Sequence, residues 1–134
     1  TLAAPHRVLP MVPWTQIGAM WSQFDVNLVP LAPTPLNACK SVVHWLEPGA
    51  LGIPSIASPR GEFASVIRSG ENGLLADAPG EWATQLETLV RSPALRRRIG
   101  KAARAEILAT RTLAQQGPQL REILETLFAS GKRP

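Results

Sequence analysis

Short apolar runs closed by proline or glycine alternate with helix-signalling stretches, and this alternation restricts the fold more than any other feature of the chain. Residues 7–12 read as a short strand. Thr15 is a plausible N-cap for a helix to about residue 23. Residues 25–31 read as a strand whose far end is nearly continuous in apolar residues, as for a strand covered on both faces. Residues 32–37 are too proline-rich for helix or interior strand. A helix is then expected over about 38–50, stopped by Gly52, followed by a strand over 53–57 and a short helix over 62–68. After a turn at 70–73 a last small strand spans 73–76.

Beyond Asp77 the pattern becomes helical. Pro79 marks a helix start, with Trp82, Leu86, Leu89 and Val90 on one face. Ser92-Pro93 repeats the signal ahead of Leu95, Ile99, Ala102 and Ala103. Gly117-Pro118 is expected to break the chain before a final amphipathic helix carrying Leu120, Ile123, Leu124, Leu127 and Phe128, and residues 132–134 read as a frayed end. Strand and helix alternating at this spacing predict an α/β fold: a parallel sheet with helices on both faces and trailing helices at the C-terminus. In such sheets ligands sit beyond the C-terminal ends of the strands. That directs attention to the segments after Val12, Leu31 and Ala57.

Composition removes several classes. The chain has 134 residues, 45% apolar and 18% charged, enough to bury a core and unlike a disordered tail. No apolar run is long enough to span a bilayer. A single cysteine, Cys39, excludes a disulfide framework, and two histidines, His6 and His44, exclude a His-rich metal centre. The first residue is Thr1, so the chain is read as a fragment or a processed chain. Trp14, Trp21, Trp45 and Trp82 are read as core or domain-interface residues.

Charge is unevenly placed. Residues 1–60 carry only Arg7, Asp25, Lys40, Glu47 and Arg60. Arg91, Arg96, Arg97, Arg98, Lys101, Arg104 and Arg111 then cluster with one acid, Glu106, among them. The cluster reads either as a surface for an anionic partner, such as a membrane, or as the solvated face of a helix. No aromatics interleave with the arginines, so nucleic acid is not an expected partner.

The segment after Leu31 carries the chemistry. It leads into the expected helix start, where unpaired N–H groups and the helix dipole favour an anion. Lys40 falls in that first turn, and Glu47 lies seven residues on. Seven steps leave the two about 20° apart around the helix and about 10 Å apart along it, close to the spacing of a diphosphate and a ribose. A carboxylate can accept two hydrogen bonds from a ribose diol. The alternative is a surface Lys and a surface Glu on an amphipathic helix.

Three segments carry a resemblance: Asp25-Val-Asn-Leu-Val-Pro; Lys40-Ser-Val-Val-His-Trp-Leu-Glu47-Pro-Gly-Ala-Leu-Gly-Ile-Pro-Ser-Ile-Ala-Ser58; and Gly70-Glu-Asn-Gly-Leu-Leu75. Together they are similar to the C-terminal, donor-binding half of a GT-B glycosyltransferase, most of all to glycosyltransferase family 4, the group 1 enzymes. The likeness runs from about residue 8 to 104 and includes the Asn37-Ala-Cys-Lys-Ser41 opening.

The resemblance implies a Rossmann-like domain over 1–111, truncated on its N-terminal side, with a C-terminal helix and tail over 112–134. It implies a bacterial, cytoplasmic enzyme, peripheral at the inner membrane face, that moves a sugar from a UDP-, GDP- or ADP-sugar to a cell-surface glycan or lipid-linked acceptor. The acceptor-binding N-terminal domain would be missing and the fragment alone inactive. Transfer would retain the anomeric configuration without a metal or other cofactor. The implied donor-binding residues are Asn37, Ala38, Cys39, Lys40, Ser41, Glu47, Glu62 and Phe63, with Glu47 on the ribose. No catalytic residue is assigned. The family commonly carries a first glutamate eight residues before the second, and here that position is Cys39. A non-catalytic binding domain that has lost this glutamate is the alternative.

Overall fold

The computed structural model describes residues 5–129. Three parallel strands, β1 (Asn27–Val29), β2 (Ser55–Ala57) and β3 (Leu74–Leu75), lie in the order β1-β2-β3. Asn27 pairs with Ser55, Val29 with Ala57, and Ile56 with Leu74. The central strand β2 is wholly buried, and its alternation divides the core. Ala57 packs with Trp45, Phe63, Ala103 and Ile107 on one face. Ile56 packs with Leu74, Leu89 and Ile99 on the other.

The first face is covered by α3 (Val43–Ala50) and α4 (Phe63–Val66), the second by α5 (Pro79–Arg91). Helix α6 (Pro93–Thr110) supplies both, Ile99 to one and Ala103 and Ile107 to the other. The expected α/β layering with helices on both faces is present. Among the described residues no helix is long and apolar enough to cross a membrane.

Several local expectations are corrected. Residues 7–12 form no strand; they are irregular, with Val8 and Met11 exposed. Pro10 and Pro13 remove donors that a strand ladder would need. β1 is consequently an edge strand with one open face, where Leu28 is 45% exposed rather than covered. Thr15 caps nothing: a 3-10 turn at Trp14–Gln16 leads into α1 (Ile17–Trp21). Of the four tryptophans, Trp45 is fully buried but Trp14 is exposed.

The proline-rich segment does form one helical turn, α2 (Pro35–Ala38). Thr34 caps it by accepting from the Asn37 amide at 3.3 Å, and Pro35 sits at its first position, where no N–H is required. Helix α7 (Leu113–Ala129) runs through Gly117-Pro118 without a break. Pro118 forfeits one backbone bond, and Gly117, lacking a Cβ, meets no clash from the proline ring.

Two polar groups fix the connections. Asn27 is buried and its side-chain amide donates to the His44 carbonyl at 2.7 Å and to Ser55 Oγ at 2.9 Å, tying β1 to α3 and β2. Asn72 is fully buried; it donates to the Val66 carbonyl and to Glu106 Oε2, and accepts from the Arg68 amide. Glu106 also pairs with Arg68 at 2.6 Å.

The hydrogen bond from Arg68, together with that from Asn72, holds the Glu106 carboxyl below its ordinary range. A depressed folded pKa contributes stability that is complete above the unfolded value and is lost as pH falls through the folded one. Stability should therefore decline as pH drops below about 4.5, the unperturbed value. Arg68→Gln should be less stable at pH 7 and show a shallower acid decline, measured by urea unfolding across that range. An unchanged acid slope would exclude this pair as its source.

Candidate functional site

The site is built where β1 and β2 end. The Ser58 amide donates to the Val29 carbonyl at 3.1 Å, and Ser58 Oγ accepts from the Leu31 amide at 2.9 Å, clamping the two loops at the C-terminal edge of the sheet. The loop after β2 then crosses to the segment joining α2 and α3. Gly61 makes this crossing possible: its φ is +52°, and a Cβ there would lie 2.8 Å from the Ala38 carbonyl oxygen and 3.2 Å from that of Lys40. Residues 38–42 and 58–62 thus form one surface.

The expected helix over 38–50 is interrupted. Cys39 ends α2, and α3 begins only at Val43. Lys40 is therefore not in the first turn of the helix bearing Glu47, and the shared-face geometry does not hold. Lys40 instead stands exposed on the linker that delivers the chain to α3. Its neighbours Ala38, Cys39 and Ser41 are likewise exposed. Asn37 is committed to its own loop, donating to the Ala32 carbonyl at 2.9 Å.

Glu62 occupies the start of α3. One carboxylate oxygen accepts from the Val42 amide at 3.2 Å, and the other accepts from Arg111 at 2.9 Å. The helix start that an anion would seek already meets an internal one. Phe63 is fully buried in the core, so its ring offers no ligand-facing surface; it holds the loop from beneath. Glu47 is half-buried beside α1, its Oε2 accepting from Trp21 Nε1 at 3.3 Å. That bond fixes one oxygen and orients the other.

A second feature of this edge carries residues outside the expected set. A cleft of about 540 Å³ is lined by Pro30, Pro33, Ser58, Asp77, Pro79 and Trp82, among others. Asp77 pairs with Arg60 across the β2 and β3 loops at 2.5 Å. The rule that ligands gather beyond strand ends, extended to β3, would have pointed to Asp77. Of the basic cluster, Arg96 is spent on the end of α5, donating to the carbonyls of Leu89 and Val90, and Arg91 pairs with Glu87. Arg97, Arg98, Lys101 and Arg104 remain exposed along α6.

The model of the glycosyl transferases of group 1 matches residues 5–106. A D-inositol 3-phosphate glycosyltransferase from Rhodococcus opacus (strain B4) is 45% identical over 51 residues, which is 37% of this chain and 11% of that protein. Among solved structures, the sucrose-phosphate synthase of Thermosynechococcus elongatus superposes with a TM-score of 0.80 at 24% identity, covering 91% of this chain and 30% of that one. This last likeness shows the fold, which is that of a GT-B glycosyltransferase. The chain spans only a small part of the length of both relatives. With three-quarters of its residues matched by the family model, the chain belongs to the group 1 glycosyltransferases.

Proposed function

We propose that the chain is the donor-binding part of a glycosyltransferase that takes its sugar from a nucleotide-diphosphate sugar. The observation that carries this reading is the Gly61 crossing, which joins the exposed Lys40 linker, the start of α3 and the β2 loop into one surface at the carboxyl rim of the sheet. Lys40 and Ser41 meet the diphosphate there, with Ala38 and Cys39 on the approach and Asn37 shaping the loop. Glu47, held by Trp21, accepts from the ribose hydroxyls. Transfer with retention and without a metal, a UDP, GDP or ADP carrier, and a lipid-linked or glycan acceptor bound by a separate N-terminal domain complete the proposal. The place of action is the inner face of the cytoplasmic membrane.

Calorimetric titration with UDP, GDP and ADP tests it. Glu47→Gln keeps an acceptor for Trp21 but removes the charge, and should weaken the best nucleotide about tenfold, the loss of a charge-assisted hydrogen bond. Unchanged affinity in the variant would remove Glu47 from the ribose. A second reading, a binding domain without catalysis, is favoured by Cys39 at the first-glutamate position and by Glu62 on the Val42 amide. No nucleotide binding by a chain carrying both domains would select it.

Membrane contact through α6 belongs to the same proposal. Arg97, Lys101 and Arg104 recur at helical spacing on one exposed face, with Arg98 beside them. Co-sedimentation with phosphatidylglycerol vesicles should occur at low salt, fade at high salt, and be lost in an Arg97→Gln, Lys101→Gln, Arg104→Gln chain. Absence of binding at both salts would return these residues to the role of a solvated helix face.

A further inference from the structure

We propose that α7 is a self-association surface, through which two copies of this chain pair antiparallel about a two-fold axis at Ile123. No residue of this 17-residue helix is buried. Leu113, Leu120, Ile123, Leu124 and Phe128 recur along one side of it and all are exposed. The pairing needs no donor site, since α7 lies outside the residues 5–106 that carry the family match.

Charge selects a protein over a lipid surface. The helix holds one base, Arg121, against two acids, Glu122 and Glu125, whereas helices that lie on anionic membranes are rich in Lys and Arg. Charge also points to a second copy. Arg121 and Glu125 stand about one turn apart on the same flank of the apolar stripe. Neither has an ion pair among the described residues, and Arg followed by Glu is the weaker order for pairing within a helix. Turned antiparallel about Ile123, midway between them, Arg121 of each copy faces Glu125 of the other.

Shape gives the same axis independently. Phe128 projects, 80% exposed. Gly117 has open space where a Cβ would stand, and a hollow of about 410 Å³ lined by Leu113, Pro118 and Arg121 lies beside it. Phe128 and Gly117 share a flank to within about 20°, and their midpoint also falls beside Ile123. The two-fold that pairs the charges therefore seats each Phe128 over the Gly117 of the other copy. Contacts that hold in both directions are what a two-fold interface requires. Ile123 then meets its own copy at the axis, and Leu120 and Leu124 fill the seam on either side.

Sedimentation velocity on the 134-residue chain over a wide span of concentration tests this. It should show a reversible monomer–dimer equilibrium. Arg121→Glu and Glu125→Arg each set like charges opposite one another, and each should raise the dissociation constant about tenfold or more. The two together should return it close to the parent value. In a Cys39→Ser background, Ile123→Cys should form an interchain disulfide at the axis, whereas Glu122→Cys, on the far side of the helix, should not. A chain monomeric at every concentration, whether or not α7 takes it to phosphatidylglycerol vesicles, would overturn the proposal. So would a dimer indifferent to either single reversal, a double reversal that stays weak, or equal cross-linking at 122 and 123.

Discussion

A Gly100→Ala chain is expected to lose at least about 3 kcal/mol of stability, a large share of the 5–15 kcal/mol of an ordinary domain. Gly100 lies where α6 crosses the turn that ends α3. A Cβ there would stand 1.8 Å from the Gly52 carbonyl oxygen and 2.6 Å from its carbon. Both are backbone atoms, so no rotamer change relieves the contact. Neither partner can retreat easily. Gly52 has φ +79° in a turn closed by bonds from Gly52 and Ile53 to Gly49 and Pro48, while Ile99 and Ala103, on either side of Gly100, are both buried. Separating the helices would open both core clusters at once, because α6 feeds each. The melting temperature should fall by roughly 10 °C or more, read by far-ultraviolet circular dichroism, whereas Lys101→Ala on the exposed face should change stability by less than about 0.5 kcal/mol. A Gly100→Ala chain melting with the parent would mean that α6 does not rest on this turn.

Periodicity exposed the parts of this fold that are regular over several turns. The stripe of Trp82, Leu86 and Leu89 and the Ser92-Pro93 cap announced α5 and α6, because an apolar face repeated along a helix needs no partner to be seen. The three strands were visible as short apolar runs, and their parallel order followed from the helices between them. Residues 7–12 show the limit. Their composition suits a strand, but a strand also needs a neighbour and free N–H groups, and Pro10 within the run and Pro13 directly after it withhold the latter.

The site was legible in outline and not in detail. Its edge of the sheet could be named from topology alone, but the break between Ala38 and Val43 could not. It depends on Gly61 approaching two carbonyls from a loop more than twenty residues away. Glu62 was visible as an acid near the rim, yet nothing local revealed that Val42 and Arg111 share its two oxygens. Asp77 and Trp82 come together only through a cleft shared by three loops, each unremarkable in sequence.

The second large effect is a gain. Glu62→Gln should bind UDP or GDP at least about tenfold more tightly than the parent, provided the diphosphate lies at the start of α3. Glu62 places a carboxylate on the Val42 amide, where a phosphate oxygen would otherwise sit. Two unit charges 4 Å apart near a protein surface repel by about 4 kcal/mol, and Arg111, bound to the other oxygen, offsets only part of this. The glutamine keeps the side-chain length and an oxygen for the Val42 amide, so the loop need not move. It removes the repulsion and releases Arg111 to the incoming anion. A tenfold gain corresponds to 1.4 kcal/mol, well inside that margin. The gain should shrink with added salt, as expected for exposed charges, and should be larger for the nucleoside diphosphate than for the uncharged nucleoside. Calorimetry on parent and variant at two salt concentrations reads all three. Because a glutamate that contacts the donor by hydrogen bonding would lose affinity on the same substitution, the sign alone decides whether Glu62 receives the donor or guards its place.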